Sequence, residues 1–253
     1  MARISILMPT YNREPILRMI MPSVMGQTFK DWKLILVDDG SEDGTEQYIA
    51  KLKDSRIEYH HQENRGVTAT RNVLLGLADT EYACWLDSDD KMNKYRLQLL
   101  VSAMDKYQPH HIRTGQTFWR GDNDKMWALP PTLLWHGGVC VASVCFRPKQ
   151  AVKFNENIRY GGEDMEWECR MQESGGMPIR IPLALYVIGE RRGAGRLSKL
   201  HKNEDSASAA SESTSLAKSE IAKTVERMRI AGKKKGETKV PFEFLASFFA
   251  SVY

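Results

Sequence analysis

The sequence contains no uninterrupted apolar stretch of about 18 residues, the minimum for a membrane-spanning helix. Its first apolar run, Ile4–Met8, is too short for a secretory signal and is typical of a strand. We therefore expect a cytoplasmic protein. The cysteines show neither CxxC pairs nor zinc-ligand spacing, so we expect reduced thiols and no structural zinc; they are Cys84, Cys140, Cys145 and Cys169.

Charge of either sign is not in large excess, but it is unevenly distributed. The net charge is +4, from 36 Lys and Arg and 32 Asp and Glu. Residues 191–253 carry 13 basic and 7 acidic side chains (+6), which leaves 23 and 25 (−2) for residues 1–190. A basic end on a neutral body suggests an anionic ligand or surface, such as phosphates, acidic lipid headgroups or nucleic acid. A solvated charged tail is the alternative.

The first two-fifths of the chain alternates strand-like and helix-like segments. Alternation of this kind predicts an α/β fold with a mostly parallel sheet flanked by helices. The predicted strands are Ile4–Met8, Lys33–Val37, Arg56–His60 and Tyr82–Leu86, and the predicted helices are Glu14–Gln27, Asp43–Leu52 and Thr68–Leu77. Right-handed crossovers would bring the carboxyl ends of these strands to one edge.

Four polar clusters fall at that predicted edge, which favours a ligand site over turn chemistry alone. They are Pro9–Asn12, Asp38–Ser41, Asn64–Gly66 and Asp87–Asp90. The last places three carboxylates directly after an apolar strand. Like charges at such a position are usually bridged by a divalent cation that also binds a phosphate. Alternatively, the cluster is a polar loop in which Ser88 or an aspartate caps the next helix.

The rest of the chain is less regular. Gly137–Arg147 is predicted to form a strand, and Gly161–Arg170 a glycine turn that leads into an acidic helix. The glycine- and arginine-rich segment 189–202 is predicted to be mobile. Residues 203–215 suit a linker or a weak helix, and Leu216–Ala231 is predicted to be helical. We divide the chain into a domain at 1–202, with halves 1–90 and 91–202, and a basic extension at 203–253.

In these residues the chain resembles family 2 glycosyltransferases of the GT-A fold. The matching motifs are Ser5–Asn12, Val37–Ser41 with Asp43-Gly44-Thr45, Asn64-Arg65-Gly66 with Ala69, Arg71 and Asn72, Leu86–Asp90, and Gly162-Glu163-Asp164 with Glu166 and Arg170. The resemblance covers about residues 1–200. It implies a Rossmann-like, mixed sheet and transfer of a sugar from a nucleoside diphosphate to an acceptor hydroxyl, with inversion.

The resemblance also assigns roles to the acidic residues. The family DxD corresponds to Asp87-Ser88-Asp89, so Asp89 is expected to bind Mn²⁺ or Mg²⁺, and Asp87 the donor ribose or the metal's water shell. The family's general base corresponds to Asp164, with Glu163 as the neighbouring candidate. The alternative for this acidic pair is simple complementarity with a helix dipole.

The remaining donor contacts follow from the same resemblance. The nucleoside is expected near Pro9, Thr10 and Tyr11, with Asp39 bonded to the base. Arg71 is expected near the diphosphate, or else in an ion pair on a helix surface. Three arginines are expected to close over the diphosphate from the mobile segment; they are Arg191, Arg192 and Arg196. Because the QxxRW motif of processive synthases is missing, we expect addition of a single sugar.

Several alternatives remain open at this point. The same chemistry could act on a modified DNA base, which the basic end would suit. A sugar-nucleotide-binding module or a nucleotidyltransferase would use similar motifs without glycosyl transfer. The C-terminal extension could contact the inner face of a membrane peripherally, pack on the domain, or join two copies of the chain. We favour packing or oligomerisation, because its phenylalanines would be costly to expose; they are Phe242, Phe244, Phe248 and Phe249.

Overall fold

The computed structural model of this chain is an α/β protein built around one curved sheet. It describes residues 2–120, 126–127, 141–159, 161–176, 178–190, 204–230 and 238–239. The strands are β1 Ile4–Thr10, β2 Trp32–Asp38, β3 Ile57–His61, β4 Tyr82–Trp85, β5 Lys91–Met92, β6 His111–Arg120, β7 Met126–Trp127, β8 Val144–Phe146, β9 Ile179–Glu190 and β10 Thr238–Lys239. The helices are α1 Glu14–Met25, α2 Thr45–Leu52, α3 Val67–Leu77, α4 Arg96–Tyr107, α5 Glu163–Gly175 and α6 Glu204–Ile230.

The sheet is mixed, with a Rossmann-like half at one side. Its strand order is β10-β9-β6-β8-β4-β1-β2-β3, while β5 pairs with β9 and β7 with β6. The strands β3, β2, β1 and β4 are mutually parallel, and β8 runs antiparallel between β4 and β6. The expected mixed, mostly parallel sheet is therefore confirmed.

The buried strands owe their position to continuous apolar runs. In β1, Ile4–Met8 is fully buried, and β2 and β4 are buried in the same way by Leu34–Val37 and Tyr82–Leu86. Runs of this kind are expected for parallel strands that are covered on both faces. The register pairs Thr10 with Asp38 and Leu7 with Trp85, so the polar segments after β1, β2 and β4 meet at one rim.

One sequence expectation needs correction and one open alternative is decided. Among the described residues of Gly137–Arg147, only Val144–Phe146 is a strand, because Val141–Ser143 forms a 3-10 turn and Val141 donates its amide to the Asp164 carboxylate. Residues 137–140 lie outside the described residues. Of the two alternatives for 203–215, a linker or a weak helix, the structure has the helix: Glu204 begins α6, which continues to Ile230.

Helix α6 lies along α5. Ala217 is buried beside Gly162, and Arg227 forms an ion pair with Glu173 at 2.5 Å. Small side chains on the contacting face allow the two helices to approach closely. The helical part of the extension thus packs on the domain, whereas its four phenylalanines lie outside the described residues. The division of the chain at residue 203 remains a prediction.

Candidate active site

The ends of β1 and β2 form the first part of the rim. Asp39 donates its amide to the Thr10 carbonyl at 2.9 Å, and Asn12 donates its amide to Ser41 Oγ at 2.7 Å. Thr10 is buried, and its Oγ1 has no hydrogen-bond partner among the described residues. Pro9 and Tyr11 are partly exposed beside it. An unpaired buried hydroxyl next to an accessible aromatic ring can serve a polar, planar ligand.

Asp39 organises the loop that precedes α3. Its carboxylate accepts hydrogen bonds from the Gln62 side-chain amide at 2.7 Å and from the Arg65 and Gly66 amides at 2.9 Å each. Gly66 has φ +86°, a left-handed conformation that glycine adopts without strain. The structure therefore gives Asp39 a loop-fixing role, and its expected contact with a nucleobase remains a prediction.

The acidic loop after β4 divides into accessible and buried carboxylates. Asp87 and Asp89 are partly exposed, whereas Asp90 is 4% exposed. Asp90 accepts hydrogen bonds from the Tyr186 hydroxyl and from the Gly189 amide, so it faces β9 and does not cap α4. Burial and the neighbouring charges of Asp89 and Asp87 hold the pKa of Asp90 well above its ordinary value.

Arg71 connects this loop to α5. Its guanidinium donates to Asp164 at 2.8 Å and to Asp87 at 3.2 Å, and it lies 3.8 Å from Glu163. The side chain is 5% exposed and lies over the Phe154 ring. The surface ion pair considered for Arg71 is therefore wrong. The structure instead brings four predicted site residues, Arg71, Asp87, Glu163 and Asp164, into one charge cluster.

Asp164 lies in the first turn of α5, held on both carboxylate oxygens. One oxygen accepts from Arg71, and the other accepts the Val141 amide at 3.1 Å. Burial raises the pKa of Asp164 to about 7; the Arg71 charge lowers it, while the Glu163 and Asp87 charges raise it further. A carboxylate with a pKa near neutrality is suited to accept a proton in the physiological pH range.

Glu163 contributes a second feature of the cluster. Its Oε2 atom is buried and has no hydrogen-bond partner among the described residues. Gly162 precedes it in the left-handed conformation, with φ +92°. This turn places both acids at the start of α5, where the helix dipole favours negative charge.

The residues fit a divalent cation that arrives with phosphate ligands. Within the described ranges, no three His, Cys, Asp or Glu side chains are grouped so as to hold a metal on their own. Mg²⁺-type ions need only one or two protein carboxylates and complete their shell with water and phosphate. Asp87 and Asp89 are such a donor set, both accessible at the carboxyl end of β4.

Sequence reasoning missed three residues that shape the site. Tyr186, Val141 and Phe154 reach the cluster from β9, the 3-10 turn and the segment before α5. No local motif marks them, because each contact joins distant parts of the chain. Three predicted arginines, Arg191, Arg192 and Arg196, lie outside the described residues.

The part of the chain that the structure describes includes no helix with the length and apolarity needed to cross a membrane.

Solved structures similar to this chain share its fold. The S. aureus protein TarS, in a crystal structure titled as a complex with UDP-GlcNAc, superposes with a TM-score of 0.68 and 18% identity. The superposition covers 89% of this chain and 72% of that one. It confirms the GT-A architecture that the sequence predicts.

Curated sequences are similar over a shorter segment. An Escherichia coli UDP-Glc:alpha-D-GlcNAc-diphosphoundecaprenol beta-1,3-glucosyltransferase, WfgD, is 36% identical over 41% of this chain and 41% of its own length. A Campylobacter jejuni GalNAc(5)-diNAcBac-PP-undecaprenol beta-1,3-glucosyltransferase is 32% identical over 44% of this chain and 37% of its own. This chain thus spans about two-fifths of these relatives. The model of glycosyl transferase family 2 matches residues 5–163, so the chain belongs to that family.

Proposed function

We propose that this protein is a metal-dependent, inverting glycosyltransferase. It moves one sugar from a nucleoside-diphosphate sugar to an acceptor hydroxyl. The observation that carries the proposal is the Arg71 bridge between Asp87, on the donor side, and Asp164, at the start of α5. A transferase needs its leaving-group site close to its proton acceptor, without repulsion between the negative charges of the two. One buried guanidinium between two carboxylates supplies that arrangement.

The donor nucleotide is assigned to the rim formed by β1 and β2. Tyr11 offers an aromatic face for the base, and the unpaired Thr10 hydroxyl and the adjacent Asp39 offer polar contacts. Pro9 limits backbone freedom at the end of β1. A UDP-sugar is the first donor to test, since the TarS structure is titled as a UDP-GlcNAc complex.

Asp89 and Asp87 are assigned to hold Mn²⁺ or Mg²⁺ together with the diphosphate. When bound, such an ion neutralises the negative charge that develops on the leaving diphosphate. Arg71 contributes a fixed positive charge on the protein side of the same region. We further propose that Arg191, Arg192 and Arg196 approach the diphosphate, as the resemblance suggests.

Asp164 is assigned as the general base that takes the proton of the acceptor hydroxyl. A pKa of about 7 keeps a large fraction ionised at neutral pH while leaving the carboxylate basic enough to accept a proton. Glu163, 3.8 Å from Arg71, helps to hold the guanidinium. With one base behind the hydroxyl, a single displacement inverts the sugar carbon.

The acceptor we favour is a lipid-linked sugar, because the names of two relatives specify undecaprenol diphosphate-linked acceptors. We accordingly place the protein at the cytoplasmic side of a membrane, in peripheral contact through its basic end, where residues 191–253 carry +6.

A donor-hydrolysis screen tests the proposal. Purified protein is incubated with UDP-, GDP- and dTDP-sugars in the presence of Mn²⁺, and release of the nucleotide is measured. We expect hydrolysis of at least one donor, abolished by a chelator and by Asp89→Ala. Asp79→Ala is the matched control. This exposed carboxylate pairs with Lys33 and lies before the amino end of β4, whereas Asp89 follows its carboxyl end. Hydrolysis that persists in chelator and in Asp89→Ala would refute metal dependence.

Binding without turnover is the main alternative outcome. A sugar-nucleotide-binding module would hold the donor without cleaving it under any condition, and a nucleotidyltransferase would release pyrophosphate from a nucleoside triphosphate. Transfer to hydroxymethylated DNA, with strong salt dependence, would favour the DNA acceptor.

A further inference from the structure

Strand β9 contacts the acidic loop through a buried tyrosine. Tyr186 is fully buried, and its hydroxyl donates to the Asp90 carboxylate while accepting the Asp87 amide at 3.3 Å. One hydroxyl therefore contacts both the first and the last residue of the Asp87–Asp90 loop. The two bonds fix the distance that the loop can span.

A second contact comes from Gly189, three residues farther along the same strand. The Gly189 amide donates to Asp90 at 2.7 Å, and its Cα lies so close to the loop that an added methyl group would overlap the Asp89 carbonyl oxygen. Only glycine fits at this position. Gly189 thus packs directly on the peptide of the proposed metal ligand.

These contacts give Asp90 a different task from its neighbours. Both of its oxygens are engaged by β9, whereas Asp87 and Asp89 are accessible at the rim. Two carboxylates of the acidic run are therefore partly exposed at the rim, and the third anchors the loop that carries them.

We propose that Tyr186 is a positioning residue for the metal and the donor diphosphate, acting through Asp90 and the Asp87 amide. This inference rests on the proposed function. The hydroxyl holds the loop in the shape in which Asp87 and Asp89 present their carboxylates to one cation. Outer contacts of this kind commonly change metal affinity by about 10- to 100-fold when they are removed.

The test compares Tyr186→Phe with Tyr82→Phe. Tyr82 is also buried, and its hydroxyl donates to Asp105 at 2.7 Å, at the other end of β4. Each variant loses the hydrogen bond from a tyrosine hydroxyl to an aspartate carboxylate, and Tyr186→Phe also loses the bond from the Asp87 amide, so only Tyr186→Phe releases the acidic loop. Binding of Mn²⁺ in the presence of UDP is followed by the loss of the free-ion electron paramagnetic resonance signal, and the melting temperature is recorded in parallel.

We expect about 10- to 100-fold weaker Mn²⁺ binding in Tyr186→Phe, unchanged binding in Tyr82→Phe, and similar decreases in melting temperature for both. Gly189→Ala provides a second route with the tyrosine intact and should weaken Mn²⁺ binding as well. Its control is Gly76→Ala in α3, where an added methyl group meets nothing within 4 Å.

The outcomes separate this inference from the proposed function. Unchanged Mn²⁺ binding in both Tyr186→Phe and Gly189→Ala overturns the inference, while wild-type binding leaves the proposed function intact. Equal losses in Tyr186→Phe and Tyr82→Phe also overturn it, because the effect would then be general destabilisation. Wild-type protein that binds no Mn²⁺ with UDP overturns both.

Discussion

The Arg71 guanidinium donates to the Asp164 carboxylate at 2.8 Å, across 93 residues of sequence. Through its other amino group it donates to Asp87 at 3.2 Å. Arg71 is buried, so these ion pairs are shielded from solvent and their charges influence one another strongly. The proposed leaving-group site and the proposed base are thus parts of one electrostatic unit.

Replacing the base should separate binding from chemistry. In Asp164→Asn the side chain keeps its shape but cannot take a proton, so we expect transfer to fall by about 10²- to 10⁴-fold. Donor binding, measured by calorimetry with the UDP-sugar and Mn²⁺, should be retained. Glu163→Gln is the neighbouring control and should lose less activity. Normal transfer by Asp164→Asn would show that the base is another residue.

The pH dependence of transfer should report the Asp164 environment. The base acts in its ionised form, so with a pKa of about 7 the value of kcat/KM should fall about tenfold per pH unit below pH 7. Removing the Arg71 charge in Arg71→Gln takes away the group that lowers this pKa, and the acid limb should move to higher pH by about 1 unit or more.

Arg71→Lys is the matched variant, because it keeps the positive charge and should move the acid limb less. The measurement is the midpoint of the pH profile, which does not depend on how far the absolute rate drops. Identical midpoints in the wild type and Arg71→Gln would mean that the guanidinium does not control the base.

The regular part of the fold could be predicted from the sequence because its signals are local. The strands β1 to β4 and the helices α1 to α3 lie within a few residues of their predicted positions, since buried runs such as Leu34–Val37 and the helical spacing in α1 are visible in short windows. The order of polar clusters then located the rim. The structure brings Asp87, Asp164 and Arg71 together there, and the roles that the resemblance assigns to them remain predictions.

Three other features of the fold and the site were not fully predicted from the sequence. A helix after the acidic cluster was anticipated, but the bounds of α4 were not predicted, although Leu97, Leu100, Val101 and Met104 have helical spacing and are buried. The role of Asp90 could not be inferred, because its partner Tyr186 lies 96 residues away. At 203–215 the sequence left a linker or a weak helix open, since a serine- and alanine-rich segment has few apolar residues to show periodicity; the structure has a helix from Glu204.

A buried pair farther along α5 should govern stability at low pH. His111 and Glu168 are both buried and 3.0 Å apart. Gln172 donates a hydrogen bond to Glu168 at 3.3 Å, and Arg113 forms a longer ion pair with it at 3.9 Å. Burial raises the pKa of Glu168, but the hydrogen bond and charge of His111 and the charge of Arg113 prevail and hold it below its ordinary value.

A carboxylate with a lowered pKa stabilises the folded state above the unfolded pKa, and this contribution is lost as pH falls through the folded pKa. Glu168→Gln should therefore cost about 3 kcal/mol at pH 7 and noticeably less at pH 4, by urea unfolding. Glu220→Gln removes an exposed pair with Lys223 and should cost less than about 0.5 kcal/mol. Equal losses for Glu168→Gln at both pH values would contradict an ionised Glu168.

A glycine at the start of α5 can measure how closely α6 packs against it. Gly162 has φ +92° in the left-handed region, so replacement by alanine should impose backbone strain of about 1–2 kcal/mol. A methyl group at Gly162 would also lie 2.6 Å from the Ala217 Cβ of α6. Gly162→Ala should therefore cost about 1–3 kcal/mol beyond the backbone strain alone.

The part of the stability loss that comes from the steric clash should be recoverable, and the part that comes from backbone strain should not. Combining Gly162→Ala with Ala217→Gly removes the clash, so the double variant should regain most of the extra loss, beyond the helix cost of Ala217→Gly alone. Chemical unfolding of the four proteins in the cycle measures this coupling. Because Gly162 precedes Glu163 and Asp164 directly, the same clash should also disturb the proposed base, and donor transfer should recover together with stability. If Ala217→Gly restores nothing in the Gly162→Ala protein, α6 does not contact the start of α5 in solution.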